Sequence, residues 1–196
     1  MDTPALTSLH AQFVGPFGWI ERDGVPSIFD APEGRVGGLY LWTVAVSDGE
    51  LVYYVGETSR SFAQRHREHL KEHLAGTYHV YDPTAFRQGK KIELWSGQYD
   101  PRSRPTVGEW LARYPSLTAA ISDLVGVYRF FVAPAPWETR LRHRAEAAIA
   151  RALWDSGRNF QDEGVRYRPR RRDESALSLT ITCSHPLLGL PSTLSA

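Results

Sequence analysis

Five side chains in this 196-residue chain are of types that handle phosphate, protons or a hard cation: Tyr40, Tyr54, Arg65, His69 and Glu146. A guanidinium is a planar fork of donors that grips two oxygens of an oxyanion at once, which the point charge of lysine does not reproduce. A carboxylate suits Mg²⁺, which takes one or two of them and fills its shell with water and substrate oxygens. A phenol (pKa about 10) and an imidazole (pKa about 6.5) can pass protons among such partners. Each residue also has an ordinary structural reading. Tyrosine is common in hairpins, where it packs or bonds structurally. Arg65 and His69, one turn apart, could be a plain helix surface. Glu146 stands among Arg142, Arg144 and Arg151, and an exposed ion pair of that kind contributes only about 0.3–0.5 kcal/mol. Residue type alone decides nothing here; order and setting must.

The elements that would position these side chains follow from periodicity and punctuation. Gly38 to Val46 is apolar and β-branched, Ser47-Asp48-Gly49-Glu50 reads as a turn, and Leu51 to Val55 is apolar again. That pattern predicts a hairpin with one tyrosine on each strand. A helix is predicted from about Ser61 to Ala75, capped by Ser59 or Ser61 and closed by Gly76. Phe62, Ala63, Leu70 and Leu74 share one face of it, and Arg65 and His69 lie along the edge of that face. Val125 to Val132 predicts a central strand, ended by Pro134 and Pro136. A second helix of about Trp137 to Trp154 follows, with Glu146 at the margin of its apolar stripe and Gly157 stopping it. Between Tyr78 and Ser122 the pattern is weaker, with a strand near Ile92 to Trp95 and a short helix near Val107 to Tyr114. Residues 1 to 34 read as an arm wrapping the domain, and Leu177 to Thr182 as a short terminal strand.

Taken in order, Gly38-Leu39-Tyr40, a turn, Tyr54-Val55-Gly56, Thr58, and then Phe62-x-x-Arg65-x-x-x-His69 on a helix resembles the GIY-YIG nuclease superfamily, with Leu39 and Val55 in place of the two isoleucines. Glu146 matches the single metal-binding glutamate of the family's later helix, and Asn159 the asparagine that follows it. The resemblance implies an α+β fold: a small three-stranded, mainly antiparallel sheet flanked by helices. It divides the chain into an N-terminal arm (1–34), a nuclease domain (35–160) with an insert at about 78–122, and a C-terminal extension (161–196). The length of that insert is similar to the elaborations of the restriction-enzyme branch. It implies a metal-dependent endonuclease acting on DNA, of restriction or mobile-element type. A repair or single-strand-specific nuclease, or a catalytically silent binding module of the same fold, are the alternatives. The site residues implied are Tyr40, which activates water, Tyr54, which orients the water or phosphate, Arg65 on a non-bridging oxygen, His69 as proton relay or phosphate ligand, and Glu146 holding Mg²⁺, with Mn²⁺ as a substitute. Free tyrosinate at neutral pH costs about 4 kcal/mol, which a nearby cation and Arg65 would lower.

Composition frames the partner. Arginine supplies nearly all the basic charge, and Arg166, Arg168, Arg170, Arg171 and Arg172 fall within seven residues, a cluster that reads as phosphate contacts or as a solvated arm. The formal net charge of +1 argues neither way. An apolar fraction of 42% supports a packed core and excludes a disordered chain. No run is long enough to span a membrane, and Met1 to Phe13 lacks the flank and apolar run of a secretory signal. With Cys183 the one cysteine, no intrachain disulfide forms, so a cytoplasmic protein is expected. The oligomeric state is left open, a dimer included.

Overall fold

The hairpin that carries both tyrosines forms the middle of a much larger sheet. The computed structural model describes residues 6–162 and 170–195. In chain order the elements are β1 (Leu6–Phe17), β2 (Gly38–Val46), β3 (Gly49–Thr58), α1 (Phe62–Leu74), β4 (Val80–Tyr81), α2 (Pro83–Arg87), β5 (Glu93–Trp95), α3 (Val107–Val125), β6 (Arg129–Pro134), α4 (Thr139–Asp155), β7 (Ala176–Cys183), β8 (Leu187–Leu188) and β9 (Thr193–Ser195). The small three-stranded sheet expected from the sequence is corrected to a seven-stranded mixed sheet of order β8-β3-β2-β6-β1-β7-β9, with a separate β4-β5 pair. β3, β2 and β6 are antiparallel neighbours, whereas β1–β7 and β3–β8 run parallel. Part of the segment read as an arm is therefore β1, an interior strand between β6 and β7, and much of the segment read as an extension supplies β7 to β9. In β1, Ala11 and Phe13 face inward while Ser8, His10 and Gln12 face out. That is the alternation of a half-buried strand, diluted by polar residues and a proline.

Alternation along the central strands sorts the core into two faces. Tyr40, Trp42 and Val44 of β2 and Phe130 and Val132 of β6 join an aromatic layer covered by α1, α2 and α3. Leu39, Leu41, Phe131 and Ala133 point the other way, against Ala145, Ala148, Ile149 and Leu153 of α4. The alanines let that helix lie close to the sheet. β2 and β3 pair Trp42 with Tyr54 and Thr43 with Val52, which leaves Tyr53 as a bulge. The bulge puts Tyr53 and Tyr54 side by side on the aromatic face, a typical way for a strand to re-aim a side chain.

Two helices differ from expectation. α1 begins and ends as predicted, with Ser61 accepting from the Gln64 amide at its N-cap. Its buried row, however, is Phe62, His66, His69 and His73, and Leu74 is exposed. α3 runs on through Pro115 to Val125, longer than the short helix expected. Proline forfeits one helical hydrogen bond, but both Leu111 and Pro115 face solvent, where water can satisfy the freed carbonyl. Among the described residues no helix is long and apolar enough to cross a membrane.

Candidate active site

The Tyr40 hydroxyl is the meeting point. It lies 2.8 Å from His69 Nε2 and accepts from Arg65 Nε at 3.3 Å. The Tyr54 ring packs beside it, its centroid 6.0 Å from that of Tyr40. The charge of Glu146 acts on both phenols, raising the pKa of each. Four elements therefore bring Tyr40 (β2), Tyr54 (β3), Arg65 and His69 (α1) and Glu146 (α4) together. α1 packs on one face of the sheet and α4 on the other, chiefly against β3. β8 pairs with β3 at Glu50 and Leu51, and further along the same strand the Asp162 amide donates to the Tyr53 carbonyl at 2.7 Å. Tyr40 itself is fully buried, while Tyr54, Arg65 and Glu146 keep part of their surface in solvent.

Two glycines make the geometry fit. Gly56 pairs directly with Tyr40 across the hairpin, and a Cβ there would stand 2.3 Å from Tyr40 Cζ and 2.4 Å from its hydroxyl oxygen. The ring can lie across β3 only because position 56 has no side chain. At Gly38 a Cβ would meet the Ala133 carbonyl oxygen at 2.1 Å, so β2 and β6 approach closely at the level of the site.

Arginine only donates, so the Tyr40 oxygen accepts from Arg65 and shares a further bond with His69 Nε2, while His69 Nδ1 pairs with the Tyr78 hydroxyl at 2.9 Å. In the tautomer with a bare Nε2, Tyr40 donates to the ring and Nδ1 donates to Tyr78. Burial, with Arg65 nearby, pushes the His69 pKa down to about 2, so its imidazole is neutral at any ordinary pH. Burial raises the Tyr40 pKa despite the opposing pull of Arg65, raises Tyr54 well above the usual phenol range, and lifts Tyr78 to about 12. Arg65 also touches Glu68 at 3.3 Å, and Arg60 makes a two-pronged pair with the same carboxylate.

Supporting contacts were invisible in the sequence. Glu57, next to Gly56, takes Arg142 Nε at 2.9 Å and His143 Nε2 at 3.1 Å, which clamps β3 to the start of α4 beside the site. Arg142, read as a surface neighbour of Glu146, is buried in that clamp. Nothing in its spacing marks Tyr78; His66 and His73 fall with Phe62 and His69 at the spacing of one helix face, but histidine counts as polar, so the row does not read as buried. Asn159 is exposed in the turn after α4, with a left-handed φ of 52°. Arg170, Arg171 and Arg172 are exposed ahead of β7, and Arg166 and Arg168 lie outside the described residues.

Two groups have the chemistry to hold a cation. One is Glu146, a single carboxylate beside two protonated phenols, which suits a hard ion that keeps several waters. The other is His79, Glu93 and Asp100 on the β4-β5 pair and the turn after it, whose ligand atoms all lie within 4.8 Å of one another. A cavity of about 510 Å³ shares Tyr54, His69 and Tyr78 with the site and His79 and Asp100 with this second group. No family model, curated protein or solved structure matches this chain, so the chemical reading of the site stands on its geometry and on the sequence resemblance.

Proposed function

We propose that the protein is a GIY-YIG type endonuclease of the cytoplasm that hydrolyses phosphodiester bonds in nucleic acid, DNA foremost, with Mg²⁺ or Mn²⁺ held by Glu146. The observation that carries this reading is the convergence of Tyr54, Arg65, His69 and Glu146 from three other elements around the Tyr40 hydroxyl. When bound, the cation neutralises charge on the phosphate and lowers the pKa of water.

The chain's own residues do the rest. Arg65 holds a non-bridging oxygen through charge-assisted hydrogen bonds that strengthen as charge grows toward the transition state. In the substrate-free state it is parked on Glu68 and Tyr40. Exchanging the Glu68 carboxylate for a phosphate draws the guanidinium outward and opens the buried Tyr40 hydroxyl to water. A free phenolate is a poor choice of base here, because burial has raised its cost. Instead Tyr40 takes a proton from the attacking water as its own passes to His69 Nε2, while the Nδ1 proton passes to Tyr78. An imidazole with a pKa near 2 does not store the proton, so the two transfers occur together. Tyr78 then releases a proton into the cavity that it lines.

The test is incubation with plasmid, single-stranded DNA and RNA, in Mg²⁺ or EDTA, beside Glu146→Gln. Cutting in Mg²⁺, none in EDTA, and loss of cutting in the Gln variant with binding retained are expected. A Gln variant that cuts at the normal rate removes Glu146 from the chemistry. A wild-type protein that binds but cuts in no lane is the silent binding module instead.

A further inference from the structure

The cavity beside the site has a wall chemistry of its own. Trp42, Tyr53, Tyr54, Tyr78 and Tyr99 line it, the first two buried and the last three reaching solvent, and Asp100 and Asp162 add two carboxylates. His69 and His73 also line it, and burial keeps both neutral, pushing them to about 2 and about 3. Arg102, the guanidinium among the described lining residues, is bonded to Asp100 at 3.2 Å. A phosphate entering here would meet the Asp100 and Asp162 carboxylates, with the Arg102 guanidinium held on Asp100 and the His79 ring held on Glu93 at 2.9 Å. A flat, uncharged ring carrying N–H donors would meet aromatic faces to stack on and carboxylate oxygens to bond. The volume of about 510 Å³ lies inside the range of about 300–1,000 Å³ of sites that enclose a ring-bearing small molecule, and far below what a duplex needs. Tyr99 is 75% exposed at this cavity, which leaves its ring open to stacking.

We propose that the cavity receives one unstacked nucleobase of the nucleic-acid substrate, stacked on its tyrosines and bonded through ring and amino N–H groups to Asp100 or Asp162, while the phosphate of that nucleotide stays outside on Arg65. The orientation rests on the phosphodiesterase reading; the affinity for a base does not. The opposed charge of the two regions sets the polarity, since Arg65 takes the anion and the carboxylate-lined cavity rejects it. A base reaches the cavity only after leaving the stack, so mismatched, damaged or single-stranded positions are the easiest to place there.

Isothermal titration with each of the four deoxynucleoside monophosphates, and with deoxyribose 5-phosphate, decides the matter. The wild-type protein and Tyr99→Ala are titrated in EDTA, with melting curves to confirm that the exposed substitution leaves the fold intact, and plasmid cutting is followed in parallel. Binding of one or more base-bearing nucleotides, absence of binding by the bare sugar phosphate, and about 10-fold weaker binding by Tyr99→Ala are expected. Equal binding of the sugar phosphate, or unchanged affinity in Tyr99→Ala, overturns the base pocket. A protein that cuts plasmid but binds no mononucleotide at millimolar concentration also overturns it and leaves the nuclease standing. Nucleotide binding with the Tyr99 dependence, but without cutting, sustains the pocket and overturns the nuclease.

Discussion

The Tyr40 hydroxyl bonds His69 and Arg65 at once, and the whole residue is shielded from solvent. Such an atom either anchors the core or transfers a proton, and substitution separates the two. Tyr40→Phe keeps the ring in the slot left by Gly56 and removes only the oxygen. His69 Nε2 then loses its Tyr40 partner, and a buried nitrogen left without a partner costs on the order of 1–3 kcal/mol. The variant is expected to fold, to melt a few degrees lower, and to cut at least about 10²-fold more slowly, as for the loss of a general base. Cutting rates and a thermal melt measured on the same preparation check this. A lower melting point with a normal rate makes Tyr40 a core anchor only. At this scale the sequence is informative about identity and silent about support. The two tyrosine motifs, Arg65 and Glu146 can be picked out by order along the chain. Glu57, Tyr78 and Glu68 are chosen by where β3, α1 and the loop after α1 come to lie, which no local spacing encodes.

α1 shows what an element adds to its residues. Its ends are legible, since Ser61 caps and Gly76 closes. Its face is not, because reading the helix by hydropathy turns Leu70 and Leu74 inward, and histidine counts as polar. The sheet beneath is aromatic, so neutral imidazoles are the better fit: His66 stacks on Phe130 at 4.2 Å, and His73 on Trp42 at 5.7 Å. The arrangement has a consequence in acid. Burial pushes His66 and His73 to about 3 and His69 to about 2, whereas unfolded histidine titrates near 6.5. Between those values the unfolded chain binds protons that the native chain refuses. Stability is therefore full above about pH 6.5 and falls as the pH drops toward 3, each histidine contributing up to about 1.4 kcal/mol per pH unit. Near-ultraviolet circular dichroism should show cooperative unfolding between about pH 6 and 4, steeper than one group produces. His73→Phe preserves a flat ring and deletes one titrating site, so its transition should be shallower and lie at lower pH. An unchanged transition would mean that these rings are not what acid attacks.

Across the whole molecule, what escaped the sequence is long-range pairing. Leu6 lies opposite Ala176 and Phe13 opposite Cys183, so β1 finds its parallel partner at the far end of the chain. Neither strand is apolar enough alone to announce an interior position. The residues ahead of β7 are tied to the helix that bears Glu146 through Glu174. Glu174 accepts from Arg140 at 2.6 and 3.0 Å, lies 3.8 Å from Arg144, and accepts the Arg171 amide at 2.7 Å. The exposed Arg170, Arg171 and Arg172 are thus anchored to α4. With a formal net charge of only +1, the chain has little overall attraction for a polyanion, so under the proposed nuclease reading local patches such as this one would have to supply it. Replacing the three arginines by alanine while keeping Glu174 leaves the anchor whole. If each meets a phosphate, affinity for duplex DNA should fall about equally on all sequences, since phosphate contacts carry no base information. The slope of log affinity against log salt should shrink by up to about 3 × 0.9. Where the DNA is cut should not change, because Tyr40, Arg65 and Glu146 are untouched. Fluorescence anisotropy at several salt concentrations, on two unrelated duplexes, measures all of this. A slope identical to wild type returns the cluster to a solvated turn, and phosphate tracking must then fall to basic residues nearer the site, Arg60 first among them.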